Sequence, residues 1–153
     1  MDKLSREVFE HGKVLEELYF FDNYTKVFSR VSCEDYLEKI NTFLDEFVIE
    51  HFEFEEKEIF PFILEKCNRY YEEKMIQELR DEHLIILEHV AEFKAQIKPL
   101  TSRLNSEIFC KILLLSQPLR REIMSHARKE DEQLLPAIKK YLVSFNCSNS
   151  ELI

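Results

Sequence analysis

An all-α fold, specifically an antiparallel up-down-up-down four-helix bundle, is what three features of this 153-residue sequence predict. Turn formers are scarce: one glycine and four prolines leave a sheet of tight turns without its usual residues. Apolar residues recur at steps of three and four through four separate stretches, the spacing of an amphipathic helix. Each stretch also carries one histidine inside its apolar stripe: His11, His51, His83 and His126. The length and the 45% hydrophobic content suit a single domain with its own core.

The first stripe reads Leu4, Val8, His11, Leu15 and Leu18, and its helix is expected to reach about residue 29 despite Asp22-Asn23-Tyr24. The second reads Leu37, Ile40, Leu44, Phe47, His51, Glu55 and Phe62. The third reads Ile76, Leu79, His83, Ile86, Val90, Phe93 and Ile97, and the fourth Ile108, Ile112, Leu115, Leu119, Ile123, His126, Glu130, Leu134 and Ala137. A polar group in such a stripe is costly unless something satisfies it.

Rise per residue is constant along a helix, so two residues at equal height on neighbouring antiparallel helices have their turn midway between them. Midway between His11 and His51 lies residue 31, within Ser29-Arg30-Val31-Ser32. Residue 67, beside Asn68, lies between His51 and His83; residues 104 and 105, after Pro99, lie between His83 and His126. All three positions read as helix breaks, which predicts four imidazoles at one level. The bundle is expected over residues 1–142, with 143–153 a polar, poorly ordered tail. Pro61 and Pro136, each ten residues after a histidine of the set, are expected to kink their helices or end them early, and Pro118 to bend its own.

A net charge of −9 with no Lys/Arg stripe argues against nucleic acid and against anionic membrane surfaces as partners. The opening MDKLSREVFEHGK has no apolar signal core, and no apolar run approaches the roughly eighteen residues of a membrane span. A cytoplasmic location is the expectation. Cys33, Cys67, Cys110 and Cys147 form no C-x-x-C pair and are read as reduced thiols.

Two of the histidines open the same phrase, His51-x3-Glu55 running on to Pro61 and His126-x3-Glu130 running on to Pro136. Residues four apart lie on one helix face about a turn apart, so imidazole and carboxylate can converge on one inward point, as metal ligands do. Adding His11 and His83 gives four histidines and two glutamates, a set large enough for two metal ions inside a helical bundle. In the fourth stretch Asp131 follows Glu130 directly. An offset of four keeps Glu130 within about 40° of His126, whereas five carries Asp131 about 140° away unless a π-bulge intervenes; Glu130 is therefore preferred. The Glu-x-x-His of ferritin-like bundles is absent, because Val8, Val48, Arg80 and Ile123 stand three before the histidines, and no H-E-x-x-H occurs. Several of the thirteen phenylalanines, Phe52 and Phe60 among them, surround the second-stretch ligands as core filling suited to a dry pocket.

An early His, then H-x3-E with a following F-P, then E-H opening an apolar stretch, then a second H-x3-E with a following L-P: this order resembles the hemerythrin-like HHE cation-binding domains, from His11 to about Leu142. The resemblance implies two iron ions with an oxo or hydroxo bridge, other divalent metals being possible. His11, His51, His83 and His126 would be terminal ligands, and Glu55 and Glu130 bridges. It further implies a protein that binds or senses a small ligand such as dioxygen, nitric oxide or hydrogen peroxide. The alternatives are an enzyme of peroxide decomposition or of iron–sulfur repair, and a passive iron-binding or storage module. The oxygen-carrying members resemble H-x3-H in the third helix and H-x4-D in the fourth. Here Leu87 stands four after His83 and removes one imidazole. His89, about 120° away from the inward face, is assigned to the surface. Fewer protein ligands leave more open coordination, which favours reaction or sensing over reversible carriage.

Overall fold

The computed structural model describes residues 1–24, 33–67 and 69–150, the side chains at 20–24, 67 and 144–150 excepted. Throughout these residues the architecture is helical. Helix α1, Lys3–Tyr24, starts at Asp2, whose carboxylate accepts from the Leu4 and Ser5 backbone N–H groups at 3.1 and 3.0 Å and so satisfies donors with no partner inside the helix. Helix α2 covers 33–67. Helix α3 is Tyr70–Ile97 and runs into a 3-10 turn, Lys98–Arg103. Helix α4 is Ser106–Ser150, with Asn105 Oδ1 accepting from the Ile108 N–H at 2.9 Å as its cap.

Arg69, extended ahead of α3, and the α3–α4 break at Leu104-Asn105 stand within two residues of where the histidine midpoints place the turns. The first midpoint and the expected end of α1 near residue 29 lie outside the described residues. Helix α4 continues to Ser150, past residue 142, and carries Pro118 and Pro136 within it without ending at either.

Helix α2 is not regular. It is α-helical over Cys33–Thr42, widens to a π-helical turn over Phe43–Ile49, returns to α over Glu50–Phe54, widens again over Glu55–Ile59 and closes as α over Phe60–Cys67. In the second wide turn the Phe60 N–H bonds the Glu55 carbonyl. Pro61 follows at once; its ring would otherwise meet the carbonyl of Lys57, and the wide turn relieves that conflict without ending the helix. The buried positions Tyr36, Ile40, Leu44, Val48 and Phe52 recur at every fourth residue. In a regular helix that spacing drifts by about 40° per step, and the wider turns absorb the drift.

Cross-helix pairs fix which helices are neighbours. Lys3 meets Glu58 and Glu10 meets His51; Glu56 meets Arg80 and Asp45 meets Lys94; Glu78 meets Lys129 and His89 meets Glu122. His11 bonds the Ala127 carbonyl. The core forms two apolar clusters. One gathers Leu18, Tyr36, Ile40, Val90, Phe93, Phe109 and Ile112; the other Leu4, Ile59, Phe60, Ile63, Leu79, Leu134 and Ile138. Between them lies a layer of buried polar side chains.

The third stripe is buried at all seven expected positions. The first is rotated. Leu4, Glu7, His11, Val14 and Leu18 are buried, whereas Val8 and Leu15 are only partly so. The inward face thus includes an acidic residue where the sequence pattern places a valine.

Candidate metal centre

The polar layer consists of Glu7, His11, His51, Glu55, His83, His126 and Glu130, each at most 3% exposed. α1 supplies Glu7 and His11 one turn apart; α2 supplies His51 and, at the start of its second wide turn, Glu55; α3 supplies His83; α4 supplies His126 and Glu130. His126 Nε2 approaches Glu130 Oε1 to 2.8 Å, and His83 Nε2 lies 3.1 Å from Glu55 Oε2 and 3.8 Å from Glu130 Oε1. His51 Nε2 lies 3.6 Å from Glu55 Oε1 and 3.8 Å from Glu7 Oε1.

Three imidazoles share one pattern of attachment. Nδ1 donates outward to a carboxylate of the neighbouring helix: His51 to Glu10 at 3.3 Å, His83 to Glu56 at 2.9 Å and His126 to Glu82 at 2.7 Å. That bond fixes the tautomer and turns the Nε2 lone pair inward, the usual support of a ligating histidine. Glu56 is held in turn by Arg80 at 3.0 Å and Glu82 by Lys129 at 2.6 Å. His83 also lies between two stacked rings, Phe52 at 3.9 Å and Phe60 at 5.4 Å.

The inward atoms have no hydrogen-bond partners. His51, His83 and His126 Nε2, both oxygens of Glu7 and of Glu55, and Glu130 Oε1 are buried without one, although several stand within 4 Å of each other. Native interiors rarely leave such atoms unpaired, and their clustering is what a shared cation would resolve. They fall into two donor groups, Glu55–His83–His126–Glu130 and Glu7–His51–Glu55, each with one atom per residue inside 4.8 Å of the rest. Ligands about 2.1 Å from one ion stand roughly 3.0–4.2 Å apart, so closure needs shifts of at most about an ångström per side chain. The residues present therefore fit metal ions.

Electrostatics agree. Burial, reinforced by the charges of Glu130 and Glu7, pushes the Glu55 carboxyl well above the ordinary carboxylate range. Burial likewise raises Glu7, with His51 only partly offsetting it. Burial also opposes ionisation of Glu130, but the His126 charge and the close approach of the His11, His126 and His83 rings outweigh it and hold Glu130 well below that range. Several carboxylates crowded in a dry interior cannot all ionise without compensating positive charge.

His11 stands apart. Its Nε2 donates to the Ala127 carbonyl at 2.9 Å and lies 3.5 Å from Glu130 Oε2, so it borders the layer without joining either donor group. Asp131 is exposed, leaving Glu130 as the inward carboxylate of α4. Leu87 packs against the apolar core, and His89 pairs with Glu122 at 2.6 Å on the surface. Cys33 and Cys110 are free thiols; the side chains of Cys67 and Cys147 lie outside the described residues. Sequence reasoning missed Glu7, Glu10, Glu56 and Glu82. For Glu7 a signal exists, since it stands three after Leu4 and four before His11.

A helical protein with a buried histidine–glutamate cluster able to bind metal is the class that fold and site define. The chain belongs to the hemerythrin HHE cation-binding domain family, whose model matches residues 4–138. No curated protein and no solved structure matches the chain. Among the described residues no helix is long and apolar enough to cross a membrane.

Proposed function

We propose that this chain is a non-haem di-iron protein that binds or senses a small diatomic or peroxide ligand, built as an up-down-up-down bundle. The topology is supported by the pairing of α1 with α2, where Lys3 and Glu10 meet Glu58 and His51, and by the same reversed order in the later helix pairs. His11, His51, His83, His126, Glu55 and Glu130 would hold the iron, His11 by leaving its bond to the Ala127 carbonyl. The observation that carries the reading is Glu55, fully buried, without a hydrogen-bond partner and common to both donor groups. A carboxylate in that position serves two cations and offsets their repulsion.

Bound iron would supply electrons and open coordination to a small neutral molecule. The chain's own residues set the conditions. Glu10, Glu56 and Glu82 hold the imidazoles in register, while Phe52 and Phe60 keep the His83 side apolar. A cytoplasmic setting, with a gaseous or peroxide partner and no nucleic acid or membrane, belongs to the same proposal.

Metal analysis of protein purified from its native host tests the reading, with two iron ions per chain expected. Exposure of the anaerobic di-ferrous protein to air should then develop charge-transfer absorption. Reversal under vacuum indicates carriage, irreversible oxidation points to sensing, and steady peroxide turnover moves the assignment to an enzyme. Protein that neither carries nor takes up metal overturns the proposal.

A further inference from the structure

We infer that Glu7 is itself a metal ligand, completing a site with His51 and Glu55; this rests on the two-metal reading above. Glu7 is 0% exposed, and neither of its oxygens has a hydrogen-bond partner. A proton shared with Glu55 would satisfy one oxygen of each carboxylate and still leave the other two, with His51 Nε2, unpaired. Its Oε1 lies 3.8 Å from His51 Nε2, and both stand within 4.8 Å of an oxygen of Glu55. His11, one turn later on the same face, meets the centre only by giving up its bond to the Ala127 carbonyl, whereas Glu7 already faces it.

The two sites are then unequal. While His11 stays on the Ala127 carbonyl, one has two imidazoles and two carboxylates, the other one imidazole and two carboxylates, with Glu55 common to both. Three carboxylates carry the centre's negative charge instead of two, so two divalent ions leave a smaller uncompensated positive charge in the dry interior. The Glu7 site, richer in oxygen, suits harder cations and binds more weakly those that prefer nitrogen. Ions should therefore load in two steps, the His83–His126 site first.

Anaerobic equilibrium dialysis of the full chain against Fe(II), with metal counted per chain, tests this. The unsubstituted protein should bind two ions and Glu7→Gln one, because the amide keeps the shape but lacks the anion; the second affinity should fall by more than about 100-fold, beyond the loss typical of an outer-layer substitution. Glu7→Asp, with its carboxylate on a shorter stem, should keep the second ion with weakened affinity, and serves if the glutamine variant does not fold. Urea denaturation of each apoprotein reports folding separately. Two ions with unchanged affinities in either variant would overturn the role of Glu7. One ion or none bound by the unsubstituted protein would instead sink the two-metal reading itself.

Discussion

Replacing the outer carboxylates by their amides one at a time, Glu82→Gln, Glu56→Gln and Glu10→Gln, should weaken metal binding in a graded order set by three hydrogen bonds. Glutamine keeps an acceptor for each Nδ1–H, so the ring stays oriented and what is lost is the negative charge that raises imidazole basicity. Loss of such a partner typically costs 10–100-fold in affinity, about 1.4–2.7 kcal/mol. The bonds are 2.7 Å at Glu82, 2.9 Å at Glu56 and 3.3 Å at Glu10, the last beyond the usual range for N–H···O. Glu82→Gln should therefore approach the upper figure, Glu56→Gln fall between, and Glu10→Gln stay near tenfold or below. Competition with a chelator of known affinity, at fixed pH and salt, measures each. Variants within about twofold of the parent, or Glu10→Gln as the most damaging of the three, would refute the idea that these bonds tune the ligands.

Glu130→Ala should lose metal while Asp131→Ala keeps the parental stoichiometry, since only Glu130 is buried among the donors; metal counting gives the answer, and the reverse result would reassign the carboxylate of α4. Phe52→Ala should destabilise the apoprotein by about 3–5 kcal/mol, because the ring is 4% exposed and stacks on His83 at 3.9 Å; a urea-derived loss below about 1 kcal/mol would contradict that packing. The apoprotein should be most stable in mild acid and weaken as pH rises above 6.5. Burial depresses His11, His51 and His126, yet neighbouring carboxylates outweigh it and raise them above 6.5, so their contribution is present in acid and lost as pH climbs through the raised values. Raised Glu7 and Glu55 act in the same direction, whereas the lowered Glu130 loses its contribution only in stronger acid. Urea midpoints between pH 6 and about 9 check the sign, and a flat or rising profile would be inconsistent with it.

The third helix was fully legible because its buried face is apolar at every position except His83, so periodicity and burial coincide. The first was not. Reading apolar residues alone selects Val8 and Leu15 and passes over Glu7, a charge normally assigned to water; only its spacing from Leu4 and His11 betrays it. The wide turns of α2 break the 3.6 period that such reading assumes, and the every-fourth-residue series Tyr36, Ile40, Leu44, Val48, Phe52 is their trace. Glu10, Glu56 and Glu82 are half-exposed, like many of the thirty acidic residues in the chain; no local pattern marks them, and only the helix brought alongside gives each its imidazole. The apolar pattern of α4 stops near residue 142, yet the helix runs on to Ser150, and no glycine or proline follows Pro136. A helix can outrun its amphipathic face when nothing breaks it.

The aromatic rings around the centre are not shared evenly. Phe52 and Phe60 grip both faces of His83, and His126 meets Phe52 edge-on at 5.1 Å, so this half of the cradle is braced by flat, stiff walls. Among the described residues His51 has only a tilted approach to Phe52 at 6.5 Å and leans on the polar contact with Glu10. Metal traffic should accordingly favour the α1 flank, where side chains yield without disturbing the aromatic brace, while the α3–α4 flank keeps its shape as ions come and go.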